Sequence, residues 1–114
     1  MFLPFSKVTQ GHCSPTLNEI WMVTLDADHP DDIELRVKQT VGHNTLYVDI
    51  GYTPQGFDIY DDFAGDYLYL EGEDLLQTQH SLKNLYFTFY CIDSVSYTVE
   101  VRSIDSDASK IVPT

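Results

Sequence analysis

Four segments of this chain alternate apolar with polar residues at a period of two, which is the pattern of β-strands that turn one face toward a core. They span residues 33–38, 46–50, 84–91 and 96–102. Eight Tyr, six Phe and one Trp strengthen the pattern, because aromatic side chains suit a pleated, half-buried surface. No segment shows a convincing 3.6-residue period of an amphipathic helix. The alternation therefore predicts an all-β fold.

Strand segments recur at intervals of about 10–15 residues with turn residues between them, and this spacing is typical of two packed antiparallel sheets. We predict an antiparallel two-sheet β-sandwich, jelly-roll-like, with six to eight strands. The length of 114 residues suits one domain. We expect residues 1–114 to form that single domain, with residues 1–15 and 104–114 at its periphery.

Three further expectations concern the placement of individual segments. Residues 19–25 are nearly all apolar, so we expect a central strand that is buried on both faces. Residues 84–91 and 96–102 are joined by a short connection, which predicts a hairpin. Residues 51–65 contain three glycines and one proline, which is typical of a long loop, and we expect the function to lie there.

The charge of the chain limits its partners. Eighteen acidic residues against six basic ones give a formal net charge of −12. A nucleic-acid backbone or an anionic lipid surface would repel such a chain, so we expect no direct nucleic-acid partner. No run of about 18 apolar residues occurs, so we expect no membrane insertion. The charge suits solubility, divalent cations and basic partner surfaces.

Cys13 and Cys91 are the only cysteines, and they bear on the cellular compartment. Cys91 shares a strand face with Leu85, Phe87 and Phe89, so we expect it to be buried. A Cys13–Cys91 disulfide and two separate buried thiols both fit this placement. A catalytic thiol fits it poorly, because an apolar face disfavours the thiolate.

Acidic residues are concentrated where basic ones are missing. Between Lys38 and Lys83 the chain has eight carboxylates and no Lys or Arg. The candidate metal ligands in this stretch are Asp58, Asp61, Asp62 and Asp66. Several loop carboxylates near a glycine are the ligand type that Ca²⁺ takes, so calcium is the candidate ion, although the fold requires no cofactor. The spacing is not that of an EF-hand loop, and a solvated acidic surface explains the same residues.

Tyrosines supply the candidate surface for a ligand or partner. Its members are Tyr52, Tyr60, Tyr86 and Tyr90. Tyr86 and Tyr90 lie on the strand face opposite Leu85 and Phe87, where exposed rings can stack on sugars or anchor a protein partner. The alternative is that both faces of this strand are covered and the tyrosines fill a second packing layer.

Catalytic signatures are missing from the sequence. The four His are isolated, without the short His or Cys spacings of zinc sites. No nucleophile elbow, phosphate-binding loop or dinucleotide fingerprint occurs. Adjacent acids such as Asp61 and Asp62 point to opposite faces of a strand, so they make a poor acid–base pair. We therefore expect a protein that is not an enzyme.

Three parts of the chain resemble a known family. Residues 45–54 (TLYVDIGYTP) are similar to a strand that runs through Leu-Tyr-Val into a loop with Pro, and residues 57–61 (FDIYD) resemble the Tyr-Asp that follows it. Residues 84–90 with 96–101 resemble the closing hairpin. The family is the bacterial pre-peptidase C-terminal (PPC-like) domain. The resemblance implies a jelly-roll-like sandwich that is a non-catalytic accessory module of a secreted or surface protein, and some members bind calcium or a polymeric substrate.

These observations favour a non-catalytic module for binding or adhesion, extracellular or at the cell surface, with calcium as a candidate stabiliser. The expected partner is a protein or a polysaccharide. A second hypothesis is a structural subunit that self-associates into an oligomer or filament, with residues 111–113 adding to a sheet edge. A third is a cytoplasmic acidic decoy that mimics nucleic acid and blocks a basic site.

Overall fold

The computed structural model describes residues 3–24, 32–41, 46–72 and 84–104. The strands are β1 (Thr9–Cys13), β2 (Glu19–Thr24), β3 (Asp32–Val41), β4 (Leu46–Gly51), β5 (Tyr60–Phe63), β6 (Tyr67–Leu70), β7 (Asn84–Cys91) and β8 (Val95–Ile104). They form two four-stranded sheets, sheet I in the order β1-β8-β3-β6 and sheet II in the order β2-β7-β4-β5. Every pair of neighbouring strands is antiparallel.

The strand order is that of a jelly roll. The first and last strands, β1 and β8, pair with each other, and the pairing continues inward through β2 with β7, β3 with β6 and β4 with β5. Because alternate pairs join different sheets, the chain closes into two sheets packed face to face. The prediction of an all-β, antiparallel two-sheet sandwich of jelly-roll type is confirmed, with eight strands in the described part of the chain.

The core lies between the sheets and follows from the period-two alternation. On β7, Leu85, Phe87 and Phe89 are fully buried. The inward alternation predicted for residues 33–38 and 46–50 is confirmed, since every second side chain within those two ranges is buried. Each large apolar side chain buried in this way contributes about 1.5–3 kcal/mol to the free energy of unfolding.

The prediction of a hairpin between residues 84–91 and 96–102 is wrong. β7 lies in sheet II and β8 in sheet I, so the connection at residues 92–94 crosses from one sheet to the other. Both hydrogen-bonding edges of β7 are occupied, by β2 and β4, and those of β8 are occupied by β1 and β3. Local sequence does not distinguish a hairpin from such a crossing, because each needs only a short connection between two strands.

β2 is an edge strand, not the central strand predicted for residues 19–25. It is the first strand of sheet II, and its partner among the described strands is β7. Trp21 and Val23 are buried, but Ile20 and Met22 on the other face are only half-buried. The apolar character of this segment therefore reflects an apolar outer face of sheet II and not burial on both sides.

The segment before β1 belongs to the sandwich, whereas the sequence placed residues 1–15 at its periphery. Leu3 is buried in the core, with 1% of its surface exposed. Its backbone N–H donates to the Met22 carbonyl of β2 (2.8 Å), and the Ser6 N–H donates to the Val101 carbonyl of β8 (2.7 Å). The segment therefore connects sheet II to sheet I.

Some predictions fall on residues that the structure leaves undescribed. At the C-terminal end, β8 extends to Ile104, and the rest of the predicted peripheral segment, residues 105–114, lies outside the described residues. Residues 111–113, suggested as an added sheet edge, belong to that part. Residue 25, the end of the strand predicted over residues 19–25, also lies outside.

A disulfide joins the two sheets. Cys13 ends β1 in sheet I, Cys91 ends β7 in sheet II, and their Cα atoms are 6.1 Å apart. Both side chains are buried, as the sequence predicts for Cys91. Of the two arrangements that the sequence left open, the structure has the disulfide. It links residues 78 positions apart, and a bond over that separation stabilises the fold by restricting the unfolded chain.

A chain of buried hydrogen bonds at Tyr97 is a second connection between the sheets. The Tyr97 ring lies against Gly11 of the neighbouring strand β1, where any Cβ would collide with the ring. The Tyr97 hydroxyl accepts from the Trp21 Nε1–H of β2 (2.8 Å) and donates to Glu19 Oε1 (2.7 Å). Burial, followed by the hydrogen bond to Glu19, raises the pKa of Tyr97. Glycine at position 11 therefore lets this ring reach from sheet I to sheet II.

Candidate functional site

The segment predicted as one long loop, residues 51–65, contains strand β5. The loop proper, between β4 and β5, includes a tight turn in which the Gly56 N–H donates to the Thr53 carbonyl (2.9 Å). Gln55 in this turn has a φ of 62°, and its backbone N–H donates to the Thr88 hydroxyl of β7 (3.0 Å). The loop therefore folds over the outer face of sheet II. Sequence reasoning missed β5 because its four residues are too few to show a period.

β5 brings two of the predicted metal ligands, Asp61 and Asp62, to Asp49 on β4. One carboxylate oxygen from each of the three lies within 4.8 Å of the other two. The β4–β5 register shifts here, because Asp61 and Asp62 together oppose Asp49, which is the arrangement of a β-bulge. The Asp62 N–H donates to Asp49 Oδ1 (2.9 Å), and Asp62 has a φ of 55°. We call these three residues the acidic triad.

The acidic triad concentrates negative charge at the surface. Asp61 and Asp62 are exposed, and Asp49 is half-buried. Partial desolvation, followed by the charges of Asp62 and Asp49, raises the pKa of Asp61. A divalent cation would relieve this repulsion, and the triad could supply three of the roughly six to eight oxygen ligands that Ca²⁺ takes. Without an ion, the same geometry is a like-charge cluster at the β5 edge of sheet II, where charge discourages further strand pairing.

The other two predicted metal ligands, Asp58 and Asp66, are not members of this cluster. Asp58 Oδ2 accepts from the Tyr52 N–H (3.3 Å) within the β4–β5 loop. Asp66 precedes β6 in sheet I, and its carbonyl accepts from the Val37 N–H of β3 (2.9 Å). Asp58 is therefore used within the loop, and Asp66 is separated from the triad because the chain passes from sheet II to sheet I between β5 and β6.

Aromatic and aliphatic side chains line the outer face of sheet II. We call this surface the aromatic face and define it by five half-buried residues of β2, β4 and β7: Ile20, Met22, Tyr47, Tyr86 and Tyr90. The Tyr47 and Tyr90 rings stack with their centroids 5.6 Å apart. Tyr86 lies opposite Met22 across the β2–β7 pair. Asp49 of the acidic triad is on the same side of β4 as Tyr47, so rings and carboxylates share one surface.

The four tyrosines predicted as a binding surface do not all lie together. Tyr86 and Tyr90 belong to the aromatic face. Tyr52 packs against the hydrophobic core. Tyr60, on the edge strand β5, is 41% exposed, and its ring meets Phe63 edge-on with centroids 5.5 Å apart. The structure therefore brings two of the four onto a common surface.

Sequence reasoning missed Tyr47 and Asp49 as members of this surface. The alternation of β4 is the signal that could have found them, since it turns Leu46, Val48 and Ile50 inward and leaves Tyr47 and Asp49 outside. The alternation does not identify the neighbours of these residues. The register of β4 against β7 and β5 is set by pairing across the sheet and not by local sequence.

The outer face of sheet I carries paired charges. Glu34 and Arg36 on β3 lie opposite Arg102 and Glu100 on β8, so each charge has the other sign across the strand pair. The signs also alternate along each strand, with N–O distances of 3.5 Å between Arg36 and Glu34 and 3.4 Å between Arg102 and Glu100. We call these four residues and the surface around them the charge-paired face.

A Ser–His pair at the edge of sheet I does not have the geometry of a catalytic triad. His12 Nδ1 and Ser96 Oγ form a hydrogen bond between β1 and β8 (3.1 Å). The nearby carboxylate of Glu19 accepts from the His12 backbone N–H (2.6 Å) and from the Tyr97 hydroxyl. This carboxylate therefore fixes the backbone, whereas a triad needs it to orient the imidazole ring.

Comparisons with protein-family models and with curated proteins give no relative from which a function could be transferred. No protein-family model matches the chain, and no curated protein matches it. Within the described ranges, no helix has the length and apolarity needed to cross a membrane. The two outer faces are therefore the basis for a functional proposal.

Proposed function

We propose that this protein is a non-catalytic β-sandwich module that binds a protein partner through the aromatic face, outside the cell or at the cell surface. The observation that carries the proposal is the contrast between the outer faces. Charges on sheet I are paired with one another, whereas sheet II presents half-buried rings and aliphatic side chains beside the acidic triad. Tyrosines of this kind anchor protein interfaces, because they combine a large apolar area with a hydrogen-bonding hydroxyl.

The surface of the partner is expected to be basic. The four strands of sheet II contain no Lys or Arg, and the acidic triad belongs to two of them. The chain as a whole has a formal net charge of −12. Lys and Arg side chains are attracted to carboxylates and to tyrosine rings, the latter through cation–π contacts. A partner segment that carries Lys or Arg between apolar residues therefore fits this surface.

The disulfide supports an extracellular location. Disulfides persist in oxidising compartments and are rare in the cytosol. Cys13 and Cys91, the only cysteines, are bonded to each other. The resemblance to the PPC-like family implies the same kind of accessory role for a secreted or surface protein, and it stays a prediction.

Peptide binding tests the proposal. An immobilised library of Lys- and Arg-containing peptides is probed with the oxidised protein, beside the same peptides with norleucine for Lys and citrulline for Arg. We expect the basic peptides to bind and their citrulline and norleucine counterparts to bind more weakly. Tyr86→Ser and Asp49→Asn should each weaken binding about tenfold, the loss typical of an interface anchor.

The control for the charge change is Asp93→Asn, which removes one carboxylate from the exposed connection between β7 and β8. It should leave peptide binding unchanged. Every variant is first checked for a cooperative melting transition. Equal binding by all variants, or binding that does not depend on peptide charge, would contradict the proposal.

Self-association and the acidic-decoy hypothesis give different results in related assays. Two copies of this chain repel each other electrostatically, which opposes pairing of two aromatic faces. Size-exclusion chromatography with light scattering is therefore expected to give a monomer at micromolar concentrations. A dimer that Tyr86→Ser dissociates would support self-association instead. Peptide binding that survives Tyr86→Ser but is lost at high salt would support the decoy.

A further inference from the structure

A broad trough crosses the outer face of sheet I. Its floor is formed by the neighbouring strands β3 and β8. The floor residues include Arg36, Lys38, Thr98 and Glu100. Val8, just before β1, forms one wall, and residues 64–67, which lead into β6, form the other. The volume is about 750 Å³, inside the roughly 300–1,000 Å³ range of small-molecule sites.

The trough is balanced in charge although the chain is strongly acidic. Two cationic residues, Arg36 and Lys38, and two anionic residues, Asp66 and Glu100, line it. A ligand with a net charge of either sign would meet two groups of its own sign. A neutral ligand with several hydroxyl groups can donate to the carboxylates and accept from the guanidinium and ammonium groups, because each hydroxyl is both donor and acceptor.

An exposed aromatic ring is held in position at one wall. Tyr67 is 46% exposed, and the Arg36 guanidinium lies 5.6 Å from its ring centroid. The Glu34 carboxylate is near the Tyr67 hydroxyl, and desolvation, followed by the charge of Glu34, raises the pKa of Tyr67. With a cation at its ring and a carboxylate at its hydroxyl, the ring is ordered before a ligand arrives, which lowers the entropy cost of binding. An ordered ring beside polar groups suits the apolar C–H face of a sugar.

We propose that this trough is a second binding site and that its ligand is a neutral oligosaccharide. The site is independent of the aromatic face, because the two surfaces lie on opposite sides of the sandwich. Balanced donors and acceptors, an ordered ring and a long open floor match a neutral polyhydroxyl ligand. Phosphates and sulfates would meet Asp66 and Glu100, and a basic peptide would meet Arg36 and Lys38.

An NMR titration of the oxidised full chain tests the site. The ¹⁵N-labelled protein is titrated in turn with neutral linear hexasaccharides of glucose, mannose, xylose and N-acetylglucosamine at up to millimolar concentration. We expect at least one of them to give saturable amide shifts at residues 64–67, Thr98 and Glu100, with none on the aromatic face. Tyr67→Ala should weaken that binding about tenfold, and Lys38→Ala, at an exposed position, should also weaken it.

The matched control is Tyr60→Ala. Tyr60 is 41% exposed, close to the 46% of Tyr67, but lies on β5 in sheet II, so its removal should leave saccharide binding unchanged. Failure of all the saccharides to shift the trough residues overturns the proposal, and so does unchanged binding in both Tyr67→Ala and Lys38→Ala. A parallel titration with dextran sulfate distinguishes a neutral ligand from an anionic one. Binding of the sulfated polymer alone, abolished by high salt, overturns the assignment to a neutral ligand.

Discussion

The two outer faces of this sandwich are built on similar strands but differ in what their side chains contact. On the charge-paired face, each of four charged residues has a neighbour of opposite sign across the strand pair. On the aromatic face, two tyrosine rings stack, and the carboxylates of the adjacent acidic triad neighbour one another. The inner faces show no such contrast, since both are apolar. Alternation therefore determines which residues enter the core. The outward residues do not have to fill the core, so the two outer faces can differ in composition and can present different surfaces to a ligand.

The positions of the basic residues add to this contrast between the two outer faces. Within the described strands, Arg36, Lys38 and Arg102 all belong to sheet I. The negative charge of the chain is therefore distributed unevenly, with sheet I close to balance on its outer face and sheet II acidic. The face that attracts cations is also the face with the apolar rings, and this combination favours a basic protein partner for one side of the sandwich and a neutral ligand for the other.

Both outer faces depend on the packing of the two sheets. We therefore expect the largest change in the free energy of unfolding when the disulfide between the sheets is broken. Reduction of the disulfide, or Cys13→Ser with Cys91→Ser, should lower the free energy of unfolding by about 4 kcal/mol, because a link between residues 78 positions apart no longer restricts the unfolded chain. Urea denaturation followed by fluorescence of the buried Trp21 measures the loss. Reductant should leave the double variant unaffected. A loss below about 1 kcal/mol would contradict a structural role for the bond.

Removing one buried tyrosine hydroxyl and one exposed tyrosine hydroxyl shows how much burial adds to the contribution of a hydrogen bond to stability. Tyr97→Phe should lower the free energy of unfolding by about 1–3 kcal/mol, because the Trp21 N–H and the Glu19 carboxylate lose a buried partner. The control is Tyr69→Phe, which removes an exposed hydroxyl that donates to Asp32. Its effect should be smaller, since water can replace the lost bond. Equal losses in urea denaturation would show that burial of Tyr97 does not matter.

Double-mutant cycles compare the faces directly. On the aromatic face, the coupling between Tyr47→Ala and Tyr90→Ala should be about 0.5–1.5 kcal/mol and insensitive to salt, because the rings interact by stacking. On the charge-paired face, the coupling between Glu100→Ala and Arg102→Ala, whose charges form an ion pair, should be about 0.2–1 kcal/mol and should fall in high salt. Couplings that respond alike to salt would remove the distinction between the faces.

The smallest effect is expected from the acidic triad as the pH changes. The pKa of Asp61 is raised in the folded state, so the folded protein holds this proton more tightly than the unfolded chain does. Stability should therefore rise as the pH falls through the raised value, and the gain should be complete below the ordinary value of 3.8. Asp61→Asn should melt slightly higher than wild type at neutral pH, and this difference should shrink on acidification. A variant that melts lower at neutral pH, in the absence of calcium, would refute the assigned repulsion.

Calcium distinguishes the two interpretations of the acidic triad. If the triad binds the ion, millimolar calcium should raise the melting temperature of the wild type more than that of Asp61→Asn, since a ligand stabilises the state that binds it. Equal shifts in the two proteins would show that the triad is a surface charge cluster without a calcium site.

The sequence predicts those parts of the fold in which a single strand shows a clear alternation of apolar and polar residues. β3, β4, β7 and β8 alternate over enough residues to show which side faces the core, and Cys91 could be placed inside on that basis. Pairing is different, because it depends on strands that are distant in the chain. The connection between β7 and β8 was predicted to be a hairpin, but it crosses from one sheet to the other. The apolar strand β2 was predicted to be central, but it lies at the edge of sheet II.

The candidate site was predictable only in part, for the same physical reason. Tyr86 and Tyr90 could be placed on the outer face of sheet II because β7 alternates clearly. Asp49 joins Asp61 and Asp62 through a register shift between β4 and β5, and neither local spacing nor composition contains that register. Asp66 was grouped with the metal ligands because it is near in sequence, although the strand that it precedes, β6, belongs to the other sheet.

The most direct test is to locate a bound basic peptide on the sandwich. The oxidised ¹⁵N-labelled protein is titrated with the best-binding Lys- or Arg-containing peptide of the library, and the amide shifts are assigned. We expect the shifts to centre on Met22, Tyr47, Tyr86 and Tyr90 of the aromatic face, with β3 and β8 unaffected. Shifts centred on Glu34 and Glu100 of the charge-paired face would contradict the assignment of the aromatic face as the partner surface.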